Sequence, residues 1–163
     1  MKKVFAIVLI SSFFAFVGCN SGEQKEETSS AEPAPVAAEA PAENGNPSYD
    51  PNRGEGKFKD VKLGDKLDAA MAESGEKIFN VKCSSCHKLT AEKLVGPGWS
   101  GVTSRHKPEW IMNFITNTDE MITKDPAAQA MLEICLVRMP NQSLSDDDAR
   151  HLLEFMRKND GIK

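Results

Sequence analysis

Cys83, Cys86 and His87 stand together in "NVKCSSCHKL", residues 80–89. Two thiols separated by two residues and followed by an imidazole can do three kinds of chemistry. They can form half of a structural zinc site, a redox-active dithiol, or the attachment point of a haem held by two thioethers with His87 on the iron. A structural zinc site needs four ligands, commonly in two paired knuckles. The remaining candidates, Cys135, His106 and His151, do not form a second pair. A thioredoxin-like dithiol is expected beside a βαβ unit. The elements around the motif therefore bear on the choice.

Those elements read as helices. "DKLDAAMAESGEKIFNV" (65–81) places Leu67, Met71, Ile78 and Phe79 among good helix formers. Gly75 lies inside this segment, where glycine costs about 1 kcal/mol relative to alanine, so a second backbone is expected close by. "SLSDDDARHLLEFMRKNDG" (143–161) opens with a capping-box pattern at Ser145 and Asp148 and carries Leu152, Leu153, Phe155 and Met156. "KPEWIMNFITN" and "DPAAQAMLEICLVR" each open near a proline at a permissible first-turn position. No convincing alternating strand pattern is present. The fold class is all-α, which removes the setting a thioredoxin-like dithiol requires.

The chain has 163 residues with 24 acids and 20 bases. It divides into three parts. Residues 1–18 combine Lys2 and Lys3 with the apolar run "VFAIVLISSFFAFV", too short to span a bilayer comfortably, and read as an export signal. "FVGC" resembles a bacterial lipoprotein processing box, which implies lipidation of Cys19. Residues 19–56, rich in Glu, Ala, Pro and Ser, cannot offset their ordering entropy and read as a disordered acidic tether. Residues 57–163 hold the domain, formally neutral, so nothing in its charge favours a nucleic-acid partner. Export meets the condition under which thioether haem is made in bacteria. The cysteines then resolve as Cys19 to lipid, Cys83 and Cys86 to haem, and Cys135 left over as a small apolar side chain.

Three segments in order narrow the reading further. "GEKIFNVKCSSCH", "VGPGWSGVTSR" and "RMPNQSLSDDDARHLLEFM" resemble the first helix, post-haem segment and ligand loop with last helix of class I cytochromes c. The resemblance covers about residues 65–159. It implies one haem c, bound covalently, with His87 and Met139 as axial iron ligands. It also implies a Pro97 carbonyl that accepts the His87 proton, and an Arg105 that neutralises a haem propionate. Gly75 and Phe79 would pack on the last helix at Leu152, Phe155 and Met156. Met121, in "TDEMI", reads as a turn residue and a minor candidate for the sixth ligand. His106 reads as a surface or propionate-side residue and His151 as a solvated one. Trp99 and Trp110 are expected in the core or the haem pocket, with an indole N–H able to reach a propionate. Lys82, Lys88, Lys93, Arg105, Lys107, Lys124 and Arg138 suggest a basic surround that steers an acidic partner.

The expected function is one-electron transfer by a carrier rather than an enzyme. The carrier would be periplasm-facing and lipid-anchored to a bacterial membrane, and would pass electrons from a respiratory donor to a terminal reductase or oxidase. The arrangement is loosely similar to small lipoprotein cytochromes that accompany periplasmic reductases such as nitrous oxide reductase. The alternatives are a haem sensor or peroxidase-like enzyme with a labile sixth ligand, and a metal-delivery protein using Cys135 and nearby methionines.

Overall fold

The computed structural model describes residues 49–163. The export signal, Cys19 and residues 20–48 of the expected tether lie outside the described residues. The domain is helical: α1 (Ala69–Lys82), α2 (Val102–Arg105), α3 (Pro108–Thr116), α4 (Thr118–Lys124), α5 (Pro126–Cys135) and α6 (Asp146–Asn159). No strand occurs among the described residues beyond a single bridge between His87 and Lys93.

α1 begins at Ala69, four residues later than the pattern from Asp65 predicts. Asp68 caps it by accepting from the Met71 amide at 3.0 Å, while the Asp68 amide donates to Glu154 Oε1 at 2.9 Å. A short carboxylate at an N-cap satisfies an orphan amide that the preceding residues would otherwise have to bury. α6 carries the predicted capping box, with Ser145 and Asp148 bonded reciprocally. The two helices cross where the sequence placed its odd glycine. A Cβ built on Gly75 would fall on the His151 carbonyl and lie 2.8 Å from Phe155 Cβ. Phe79, one turn on, sits 5.5 Å from the Phe155 ring and 4.7 Å from Trp99, measured between centroids. Burying a side chain of this size contributes about 1.5–3 kcal/mol.

Behind the crossing lies an ionic cluster that the sequence did not announce. Glu154 is fully buried and accepts from Arg157 at 2.7 Å, Arg150 at 2.6 Å and the Asp68 amide. Arg157 in turn donates to the Gly64 carbonyl at 2.8 Å. Burial works to raise the Glu154 carboxyl, but the Asp68 amide and the two guanidiniums outweigh it and hold the group below its ordinary value of 4.5. A carboxyl depressed in the folded state contributes stability above its unfolded value and loses it as pH falls through the folded value. The melting temperature should therefore fall as pH drops below about 4.5. Glu154→Gln should be less stable at neutral pH and show a shallower acid slope. Parallel slopes for the two proteins would remove Glu154 as a source of the acid sensitivity.

The chain before α1 is bonded to the helices on both sides of residue 57. Residues 49–56 are packed on α3, α4 and α5. Tyr49 Oη donates to Asp125 at 2.6 Å, the Glu55 amide to Met121 Sδ at 3.0 Å, and Asn113 Nδ2 to the Arg53 carbonyl at 2.9 Å. Gly54, at φ +60°, lets the backbone lie against Met121 and Asp125, where a Cβ would clash with both. The strap continues with the Phe58 amide on Asn113 Oδ1 and the Val61 amide on Glu109 Oε1. Side chains of the helices, rather than an apolar pattern within the strap, order it. Composition therefore reads it as tether.

α4 replaces the turn expected around Met121. α5 stops at Cys135, short of the predicted 138, because Leu136 turns left-handed at φ 59°. Cys135 is thus not one helical turn from Met139. Met139 lies in the irregular segment between α5 and α6.

Candidate functional site

Past the end of α1 the amides of Cys83 and Ser84 still bond to the Phe79 carbonyl, and the amides of Cys86 and His87 turn back to Cys83. The following loop folds over this turn, with the Val95 and Gly96 amides both on the Cys86 carbonyl at 3.2 and 2.9 Å. This brings Gly96 onto the imidazole. A Cβ there would land on Cε1 and lie 2.9 Å from each ring nitrogen of His87. The next carbonyl, Pro97 O, is 2.8 Å from His87 Nδ1. A carbonyl can only accept, so Nδ1 carries the proton and Nε2 keeps its lone pair. Burial holds the imidazole below its ordinary value, against the opposing effect of the Pro97 bond. It is an oriented imidazole of the kind that can serve as a ligand.

Cys83, Cys86, His87, Pro97 and Met139 all line one cavity of about 400 Å³. Arg105 lines an adjoining cavity of about 440 Å³, whose wall also includes His87, Pro97 and Met139. His87 and Met139 therefore border both compartments. Cys19 lies outside the described residues. Cys83, Cys86 and Cys135 are free thiols. Burial pushes the Cys83 thiol up to about 11, the opposite of what a thiolate ligand or redox nucleophile requires. No group of three His, Cys, Asp or Glu side chains gathers to hold a metal ion among the described residues. The zinc and dithiol readings lose ground on both counts. Two thiols, an oriented imidazole and a thioether around an apolar cavity fit a covalently bound haem.

The readings of Met121, the Trp110 indole and His151 require correction, whereas His106 and Arg105 lie where a propionate-side role would put them. Met121 is fully buried on α4, takes the Glu55 amide on its sulfur and borders neither cavity, so it is not a candidate ligand. The Trp110 indole donates to Asp125 Oδ2 at 3.0 Å, so its N–H is committed to the protein. His106 is half-buried and stacks on Trp110 at 4.0 Å and 14° while lining the second cavity. Arg105 donates to the Ser100 and Gly98 carbonyls, which fixes the guanidinium at the rim. His151 is half-buried, with its carbonyl under Gly75.

The basic surround is partly offset. Lys88, Lys124 and Arg138 pair with Glu92, Glu120 and Asp119, while Lys82 and Lys93 donate to the main-chain carbonyls of Gln142 and Ile134. Sequence reasoning missed Met131 and Cys135 as wall residues of both cavities and Gly96 as the floor of the imidazole. "GPG" immediately before Trp99 was the available signal for the last of these.

The family profile for cytochrome c matches residues 72–160. No curated protein matches the chain. Among solved structures, cytochrome c from Rhodothermus marinus is 37% identical over 64% of this chain and 90% of that one, with a TM-score of 0.63. An engineered cytochrome c from the same organism is 36% identical over the same shares, with a TM-score of 0.62. The family match takes in the Cys-x-x-Cys-His turn, the folded-back loop and α6, and it covers more than half of the sequence. A helical domain closed by α1 on α6 around an apolar cavity edged by Cys83, Cys86 and His87 is what such a match requires, and this chain belongs to the cytochrome c family.

Proposed function

We propose that the protein is a membrane-anchored, periplasm-facing one-electron carrier with a single haem c. In this reading Cys83 and Cys86 hold the haem by thioethers, His87 and Met139 are its axial ligands, and Arg105 meets a propionate. The family supports the coarser statement, haem-based electron transfer, directly. The observation that carries the finer one is that His87, fixed by Pro97, and Met139 border both halves of the same apolar space.

Bound there, the haem supplies a reversible one-electron couple. The residues of this chain set how that couple behaves. His87 Nδ1–H on Pro97 O fixes the ring plane and raises the basicity of Nε2. The Met139 thioether, as a second ligand, would favour the reduced state and leave no open position for other ligands. Phe114, Ile115, Ile122 and Leu132 exclude water, which limits the reorganisation that accompanies a change of charge. The donor and the acceptor, a respiratory protein and a terminal reductase or oxidase, would meet the haem at the mouth near Val81 and Val137, both largely exposed.

The test is a visible spectrum of the exported protein in both oxidation states beside Met139→Ala. We expect a covalent c-type spectrum with a sulfur-to-iron band near the red edge, lost in the variant, and a lower potential. A spectrum unchanged in the variant would place the sixth ligand elsewhere and favour the sensor or peroxidase alternative. The anchor has its own check. Cys19→Ser should move the protein from the membrane to the soluble fraction, because two or more acyl chains are needed for stable anchoring. A variant that stays membrane-bound would mean that the signal segment itself is retained.

A further inference from the structure

The strap contacts the wall of the cavity that carries Met139 and leaves the Cys-x-x-Cys-His turn to α1 and the loop. Three helices line the Met139 side: α3 through Phe114 and Ile115, α4 through Ile122, and α5 through Met131 and Cys135. Each is held from behind by the strap. α3 is gripped at Asn113, which is fully buried and accepts from the Phe58 amide while donating to the Arg53 and Phe58 carbonyls. α4 is gripped at Met121, whose sulfur accepts from the Glu55 amide. α5 is gripped at its first turn by Asp125.

Asp125 joins the parts. It is fully buried, and its Oδ1 caps α5 by accepting the Ala128 amide at 2.8 Å. Its Oδ2 accepts both Tyr49 Oη at 2.6 Å and Trp110 Nε1 at 3.0 Å. One carboxylate thus fixes the strap, α3 and the start of α5 against one another. Trp110 in turn stacks on His106 and, at 5.1 Å, on Phe114, both of which line the second cavity. α5 runs on into the segment that carries Met139. By contrast, the bonds of the Cys-x-x-Cys-His turn go to Phe79 and Asn80 of α1, to Cys83 within the turn, and to Val95, Gly96 and Pro97 of the loop.

We propose that residues 49–61 are a brace for the distal side of the site, with Tyr49 and Asp125 as positioning residues that hold α5, and through it Met139, in place. The inference rests on the reading of Met139 as the distal ligand. Removing the Tyr49 hydroxyl withdraws one of three donors from a buried carboxylate without removing the ring. Hydrogen bonds to charged groups are strong enough that their loss shifts a local equilibrium by about tenfold or more.

The experiment compares Tyr49→Phe with wild type in the haem-loaded full chain by two readouts. One is the affinity for added imidazole, followed in the visible spectrum. The other is amide hydrogen exchange resolved by helix. Expected are imidazole binding tighter by about tenfold and faster exchange in α5, with α1 and the Cys-x-x-Cys-His turn unchanged. Wild-type exchange in α5 would overturn the brace. So would faster exchange spread evenly through α1 and α6, which would make Tyr49 a general stabiliser.

Met139→Ala in the same titration separates the two readings. If that variant binds imidazole more tightly and Tyr49→Phe does not, the brace does not reach the ligand and the proposal falls. If Met139→Ala binds imidazole like wild type, the distal-ligand reading fails, and the brace on α5 is decided by exchange alone.

Discussion

Gly75→Val is expected to leave the domain unable to close α1 on α6, and Gly75→Ala to melt well below wild type. Two effects of opposite sign compete at this position. Alanine is the better helix former by about 1 kcal/mol, and an exposed helical glycine would gain that much on substitution. At Gly75 the new Cβ would occupy the place of the His151 carbonyl and lie 2.8 Å from Phe155 Cβ. The first obstacle is backbone, held in the middle of α6 by that helix's own hydrogen bonds, so relief requires the whole helix to move. Overpacking a core costs about 1–3 kcal/mol even where side chains can adjust, and here they cannot.

Separation at the crossing also strips Phe79 of its contact with Phe155, and it breaks the bond from the Asp68 amide to the buried Glu154. Losing a hydrogen bond to such a buried charged group costs about 1.5–3 kcal/mol on its own. A domain whose total stability is about 5–15 kcal/mol cannot absorb both losses with the valine variant. Circular dichroism melts of the two variants beside wild type decide the point. An alanine variant that melts at or above the wild-type temperature would show that the glycine is tolerated at a surface, and that the helices meet elsewhere.

The contrast between Gly75 and the strap explains what the sequence could and could not reveal. Gly75, Phe79, Ser145 and Asp148 are legible because each breaks or completes a helical pattern in its own segment. The helix periodicity of α3 and α5 is legible for the same reason. The order of residues 49–56 is not, because the partners lie far off in sequence. Asn113 supplies the bonds for Arg53 and Phe58, and Asp125 supplies the one for Tyr49. α4 was read as a turn because its seven residues are too few to show a period, and Met121 was weighed as a ligand on that account.

At the site, Cys83, Cys86 and His87 could be read from spacing, and the resemblance supplied Pro97, Arg105 and Met139. What spacing could not supply is the wall. Met131 and Cys135 reach the cavity only because α5 is aimed there, and Leu136 ends that helix by a backbone turn that its residue type does not favour. Pro126 marked where α5 begins, but nothing local showed that the aspartate before it caps the helix and also binds Trp110 and Tyr49.

Gly96→Ala is expected to damage the site while sparing the fold. Its Cβ would land on Cε1 of His87, and a ring that retreats into the cavities it borders gives up the bond that orients it. Nδ1 is tied to Pro97 O at 2.8 Å, and the Trp99 ring centroid lies 5.7 Å from that of the imidazole. The loop can give way instead, but its Val95 and Gly96 amides are bonded to the Cys86 carbonyl, so moving it pulls on the second thiol of the motif. Either form of relief disturbs a residue proposed to hold the haem.

Groups that orient a metal's ligand without touching the metal typically account for 10–100-fold in affinity or activity, and about that loss is expected in the yield of covalently loaded protein. Loaded molecules should show a weakened sulfur-to-iron band, because a tilted His87 would no longer present Nε2 in the orientation that its proposed pairing with Met139 requires. The crossing of α1 on α6 is built from other residues, so far-ultraviolet circular dichroism should stay close to wild type. Haem content per polypeptide, read beside that helical signal, separates a damaged site from a damaged fold. Full loading with an undiminished band would mean that the haem's own bonds orient His87 and that the missing side chain at residue 96 contributes nothing. Loss of helix together with haem would mean that the loop over His87 is part of what holds α1 in place.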